Sequence, residues 1–212
     1  MNHRMRVLYL GPASPLIPWL REMGLLHIGE PRQDVTHLER PITVEDAKGH
    51  DFLLSFGYRH ILTPDVLDYF SPKFRLNVHL SYLPWNRGAD PNFWSWVEDT
   101  PKGVTIHSMD TGLDTGPIMI RGYAGWSNIP HFTMTLRKSY TWLQNEGVRM
   151  VQWWWLRGMR DGKLDLFDQP SGGSFHTKKD RLPHEACFTD HGLDLPIAEM
   201  VARVHEAQAV LA

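Results

Sequence analysis

The sequence predicts an α/β fold: a mostly parallel, twisted sheet flanked by helices, with an antiparallel pair of strands at one edge. Three observations carry this. Short apolar runs at 6–10 and 51–56 lack the polar alternation of a half-solvated strand, as strands covered on both faces do. Each is followed by a turn leading away from the strand, first Gly11-Pro12-Ala13-Ser14-Pro15 and then Gly57-Tyr58-Arg59-His60. Two further runs, 104–108 and 117–121, are joined by one short loop, a connection that antiparallel neighbours permit and parallel ones do not.

In chain order, the strand at 6–10 leads into a helix with Ser14 as N-cap and Pro15 at its first position, running to about residue 23. The intervening turn lacks G-x-G-x-x-G, and its prolines remove N–H donors that a phosphate cradle needs, so it reads as a plain strand-to-helix turn. Residues 25–48 are irregular, with one or two short strands expected near Ile28, Val35 and Val44. After the strand at 51–56, Thr63-Pro64-Asp65 caps a helix to about residue 69. A strand at 76–80, a helix at 91–98 and the two edge strands follow. Leu136, Tyr140, Leu143, Val148, Val151 and Trp155 keep helical spacing through 133–158, the longest helix, expected to cover the sheet. The triple Trp153-Trp154-Trp155 cannot all face one side, and one or two of them are expected in the core rather than on a platform for bases. Past residue 162 the chain is irregular until a last helix at 195–211. Its stripe of Ile197, Met200, Val201, Val204 and Val210 fits either packing on its own domain or pairing with a second copy as a homodimer.

Composition narrows the function. A chain of 212 residues buries roughly 70% of its unfolded surface and needs no cross-link. Its single cysteine, Cys187, excludes an internal disulfide and a cysteine-rich zinc site, and no metal is expected. Formal charge is −2, with no basic run longer than Lys178-Lys179, which argues against a nucleic-acid partner. No stretch approaches the ~20 apolar residues of a membrane span. The apolar run at 7–10 is too short for a signal peptide, so the expected location is the cytoplasm.

Chemistry concentrates in residues 74–116. If 76–80 is a strand, Asn77 and His79 point to one face. A dense Pro/Gly loop, Ser81-Tyr82-Leu83-Pro84-Trp85-Asn86-Arg87-Gly88, follows, and the acidic loop Gly112-Leu113-Asp114-Thr115-Gly116 returns later. Taken singly, each residue has a plain role. Asn77 ties a strand end, His79 is a satisfied core histidine, Asp114 staples its turn through an Asx bond, and the glycines permit φ > 0. Taken together, a carboxamide, an imidazole and a carboxylate supply what acyl transfer to an amine needs: a donor for the oxyanion, a group to take the proton, and something to orient that group. His107 reads as a residue of the strand's pairing face.

Asn77-x-His79, the Leu83-Pro84 turn, Arg87-Gly88 and the Gly112 to Gly116 loop resemble the signature of folate-dependent formyltransferases. The resemblance spans residues 6–180. It implies a Rossmann-like formyltransferase fold, N10-formyltetrahydrofolate as co-substrate, and Asn77, His79 and Asp114 as the catalytic residues. A catalytic domain at 1–180 and a helical extension at 181–212 are then expected. In the family the pterin lies in a slot lined by two loops, whose counterparts carry Phe56, Tyr58, Leu62, Asp110 and Gly112. The acceptor is less specified. Methionyl-tRNA formyltransferases carry a further barrel and a basic surface; glycinamide ribonucleotide formyltransferases carry a Gly-Asn-rich phosphate loop; formyltetrahydrofolate hydrolases carry a regulatory domain. The run from Tyr82 to Gly88, Asn92-Phe93-Trp94 and Gly173 to Asp180 resemble sugar N-formyltransferases. That resemblance implies a nucleotide-linked amino sugar as partner, with Tyr82, Trp85, Arg87 and Asn92 as acceptor residues. A siderophore-type hydroxyornithine, glycinamide ribonucleotide, or a non-catalytic folate or nucleotide binder are the alternatives.

Overall fold

The computed structural model describes residues 5–22, 34–124, 133–161, 165–188 and 191–211. In chain order these form β1 (Arg6–Leu10), α1 (Leu16–Glu22), β2 (Asp34–Leu38), α2 (Val44–Ala47), β3 (Phe52–Phe56), α3 (Pro64–Tyr69), β4 (Arg75–His79), β5 (Arg87–Gly88), α4 (Pro91–Val97), β6 (Gly103–Ser108), β7 (Ile118–Tyr123), α5 (Leu136–Asp161), β8 (Phe175–His176), α6 (Lys178–Arg181) and α7 (Ile197–Leu211). A six-stranded sheet has the order β2-β1-β3-β4-β6-β7, and β5 pairs with β8 as a second, two-stranded sheet. The β2/β1, β1/β3 and β3/β4 pairs are parallel. β6 and β7 run antiparallel, with Ser108 N–H bonded to Pro117 O and Ala124 N–H to Lys102 O. The predicted fold class is the observed one.

The chain divides into two compact units. The first comprises Met1–His79, Ile106–Ile120 and Val148–Asp168. Its core is the continuous apolar run of β1 and β3, fully covered as central parallel strands must be. Leu8, Leu10 and Leu53 pack with Ile42, Ala47, Val66 and Phe70 from the adjoining helices. Trp154 and Trp155 of α5 lie on Phe52 with ring centroids 6.0 and 5.0 Å away, while Trp153 is 51% exposed. Two tryptophans of the triple are therefore core and one faces out. Ser14 Oγ accepts from Leu16 N–H at 3.2 Å, and Pro64 opens α3 after Thr63, as the capping pattern predicts.

Short strands were expected through 25–48; β2 is there, but Val44–Ala47 is a helix, started by a capping box in which Thr43 and Asp46 satisfy each other's backbone N–H. The strand expected near Ile28 lies outside the described residues.

The second unit comprises Leu80–Thr105, Arg121–Gly147 and Gln169–Ala212. Its centre is aromatic: Trp94 stacks flat on His176, Phe93 meets Phe188, and α7 packs against α4. Ile197, Met200 and Val204 are buried, so the α7 stripe is used inside this unit. No helix among the described residues is long and apolar enough to cross a membrane.

Candidate active site

Four polar side chains meet at the end of β4. Strand alternation sends Asn77 and His79 to one face. Just past β6, Met109 N–H bonds Arg75 O at 2.9 Å, and stepping two residues back along β6 and two forward along β4 sets His107 against Asn77, with Asn77 Nδ2 3.2 Å from His107 Nε2. The loop between β6 and β7 delivers Asp114. Its Oδ1 is 3.3 Å from Asn77 Nδ2 and 3.4 Å from His107 Nε2, and its Oδ2 is 3.5 Å from His79 Nδ1. The side chains of His79, His107 and Asp114 are only 7%, 2% and 11% exposed, so their mutual electrostatics are little screened.

Hydrogen-bond logic assigns the protons. His107 Nδ1 is 2.9 Å from Ser108 O, which only accepts, so Nδ1 carries the hydrogen. In the neutral ring Nε2 is then an acceptor and takes one Asn77 N–H. The other Asn77 N–H points at Asp114. Two acceptors thus fix which way the carboxamide faces, and the second Asp114 oxygen is left beside His79.

The loop geometry explains the glycines differently from the sequence reading. Neither Gly112 nor Gly116 occupies the positive-φ region; Asp114 itself does, at φ 55°. A Cβ on Gly116 would lie 1.9 Å from Ser108 O, and one on Gly112 would lie 2.0 Å from Thr115 Oγ1. The glycines are there for close approach, and the left-handed turn at Asp114, a conformation Asp tolerates better than most residues, aims its carboxylate.

A neutral amide donor and an imidazole, each within 3.5 Å of the same carboxylate, can hold an oxyanion and move a proton. Contacts of 3.2–3.5 Å are at the long end for hydrogen bonds. The sequence reading missed His107 as a member. Its signal was the register of β6 on β4, which becomes readable only once the strand pairing is known.

A family model described as formyl transferase matches residues 34–125. The methionyl-tRNA formyltransferase of Trichlorobacter lovleyi is 36% identical over 107 residues, covering 49% of this chain and 33% of that protein. That of Paraburkholderia phymatum is 28% identical over 83% of this chain and 54% of its own length. The chain thus spans between a third and about half of these curated relatives. A crystal structure of the formyltransferase PseJ from Anoxybacillus kamchatkensis, in complex with UDP-4,6-dideoxy-4-formamido-L-AltNAc and tetrahydrofolate, is 34% identical with a TM-score of 0.80. It covers 93% of this chain and 98% of that one. The chain belongs to the formyltransferase family. A sugar N-formyltransferase from Shewanella sp. shares the fold, with a TM-score of 0.70 at 17% identity, covering 95% of this chain and 88% of that one.

In this member of the family the residues expected around the folate lie as follows. Phe56 is buried at the end of β3, where its carbonyl passes Gly11 so closely that a Cβ there would sit 2.0 Å away. Tyr58 and Leu62 are half-buried on the β1/β3 core together with Met109, and the Tyr58 hydroxyl donates to Arg40 O at 2.9 Å. Burial raises the Tyr58 phenol above its ordinary range. The Asp110 carboxylate is engaged by its own loop, accepting from Gly112 N–H at 3.1 Å and the Thr115 hydroxyl at 2.7 Å.

The residues expected to meet the acceptor fall in the second unit and are mostly engaged there. Asn92 is buried, its amide donating to Leu136 O at 3.2 Å and accepting from the Ser139 hydroxyl at 2.9 Å. Arg87 donates to Gln169 Oε1 at 3.1 Å and Gly172 O at 3.4 Å. The Tyr82 ring lies under Arg121 (4.4 Å) and edge-on to Tyr123 (5.9 Å). Trp85 remains 36% exposed.

Proposed function

We propose that this chain transfers the formyl group of N10-formyltetrahydrofolate to the primary amine of a nucleotide-linked amino sugar. The observation that carries the reading is the contact of Asn77, His79 and Asp114 at 3.3–3.5 Å. It is supported by the full-length likeness to a formyltransferase crystallised with a UDP-linked formamido sugar and tetrahydrofolate.

The uncharged amine attacks the formyl carbon, and the carbonyl π pair moves onto oxygen. Asn77 donates to that oxyanion, and His79 takes the proton that the nitrogen must lose. Asp114 stabilises the imidazolium. Collapse re-forms the carbonyl and breaks the bond to N10, which leaves with a proton, giving a formamide and tetrahydrofolate. Both Asn77 N–H groups already have acceptors, so the oxyanion must replace one. Displacing the Asp114 contact would leave that carboxylate to close on His79.

The methionyl-tRNA relatives favour a second acceptor, the amine of an aminoacyl-tRNA. The net charge of −2 weighs against it, since phosphate binding draws on a basic face. One panel separates the two: nucleotide-linked amino sugars, free amino acids and methionyl-tRNA, each with N10-formyltetrahydrofolate, with products read by mass spectrometry. Formylated amino sugar is expected, and formylated methionyl-tRNA in its place would transfer the assignment.

A further inference from the structure

The loop at 82–90 is braced by a segment some eighty residues away. Asn86 is fully buried in a left-handed turn (φ 57°). Its N–H bonds Ser174 Oγ at 2.9 Å, its Oδ1 accepts from the same hydroxyl at 3.1 Å, and its Nδ2 donates to Thr100 Oγ1 at 2.7 Å. Arg87 N–H bonds Ser174 O at 3.0 Å and Ala89 N–H bonds His176 O at 2.8 Å, closing the β5/β8 pair. The two backbones touch: a Cβ on Gly88 would lie 2.2 Å from His176 O, and one on Gly173 would lie 2.0 Å from Pro84 O. The segment is itself anchored, because the His176 ring stacks on Trp94 at 4.1 Å and 9°, with Nε2 3.2 Å from Glu98.

Between Pro84 and Asn86, both held in this way, stands Trp85. Its N–H bonds Tyr82 O and its carbonyl accepts from Ser81 Oγ at 2.7 Å, so its backbone is fixed while its indole is exposed. A rigid aromatic face loses little entropy when a flat sugar ring or base lands on it. We propose that Asn86, Arg87 and Ser174 are positioning residues that hold Trp85 as the acceptor-recognition surface. Arg87 is then a strut of the brace and not a ligand for the acceptor's phosphates. The proposal rests on the acceptor reading above.

The test combines kinetics with hydrogen exchange. Ser174→Ala should raise the acceptor KM about tenfold, roughly the worth of a lost hydrogen bond or two, with the folate KM unmoved, and Ser174→Thr should restore it. Trp85→Ala should raise the same KM, and the double variant should be no worse than either single one. Gln169→Ala should act like Arg87→Ala, whereas a phosphate-binding arginine would be indifferent to losing Gln169. Independently of any substrate, the amides of Arg87 and Ala89 should exchange faster in Ser174→Ala. Additive effects of Trp85→Ala and Ser174→Ala, a silent Gln169→Ala, or unchanged exchange would each overturn the proposal. A wild-type protein that turns over no amino sugar sinks the acceptor reading instead, and exchange then decides the brace alone.

Discussion

The polar cluster at Asn77, His79, His107 and Asp114 and the loop at 82–90 are both built from buried and half-buried polar side chains, yet they are tied differently. Asn86 makes three bonds of 2.7–3.1 Å to hydroxyl groups. The cluster makes contacts of 3.2–3.5 Å in which Asp114 is shared among three neighbours. A polar group held at ideal length has nothing left for a ligand. One held at the edge of bonding range still has interaction energy to gain, so it can tighten on a developing charge.

Breaking the cluster should cost the most. His79→Asn should lower kcat by about 10²–10⁴-fold, the usual contribution of a positioned acid-base group. The wild-type rate should also fall in acid, where a general base is protonated, and the residual rate of His79→Asn should lack that fall. A flat wild-type profile would remove His79 as the proton carrier. Asn77→Ala follows at about 10²–10³-fold in kcat, the cost of one oxyanion donor, with folate affinity retained by equilibrium binding. If affinity fell in step with rate, Asn77 would belong with Asn86 as a structural tie.

Gly116→Ala tests how the loop aims Asp114. A Cβ meeting Ser108 O at 1.9 Å cannot be absorbed by a side-chain rotation, because the neighbour is backbone. A loss of about 1–3 kcal/mol in unfolding free energy is expected, as for other overpacked sites. Activity should fall further than stability does, since the carboxylate moves with the loop. An active, fully stable variant would show that the loop yields without consequence.

These regions were also unequally legible in the sequence. Asn77 and His79 share a face by alternation alone, and Asp114 announces itself between two glycines. His107 did not, because its membership depends on the register of β6 against β4. Arg87 and Asn92 are expected at the acceptor from sequence, and a polar side chain looks the same there whether it points outward or at a partner far along the chain. Arg87 finds Gln169 82 residues away, and Asn86 finds Ser174 88 away. Local pattern carries no information about such partners.

The short helix α2 is the opposite case, local and readable, yet it lies in a stretch whose apolar residues suggested strands. Thr43 and Asp46 stand in capping-box spacing, and Asp46 also pairs with Arg40 at 2.5 Å. The Arg40 guanidinium and the Thr43 N–H hold the Asp46 carboxyl well below its usual range. A depressed folded-state pKa adds stability above the unfolded pKa, and that stability is lost as pH falls toward the folded value. Asp46→Asn should therefore lower Tm slightly at neutral pH, and the gap from wild type should close as the solution is acidified below the ordinary carboxylate range. The effect should be the smallest of the set, because the pair is at the surface, and kcat at neutral pH should not move. A gap that widened in acid would mean that the Asp46 carboxylate does not stabilise the fold through its charge.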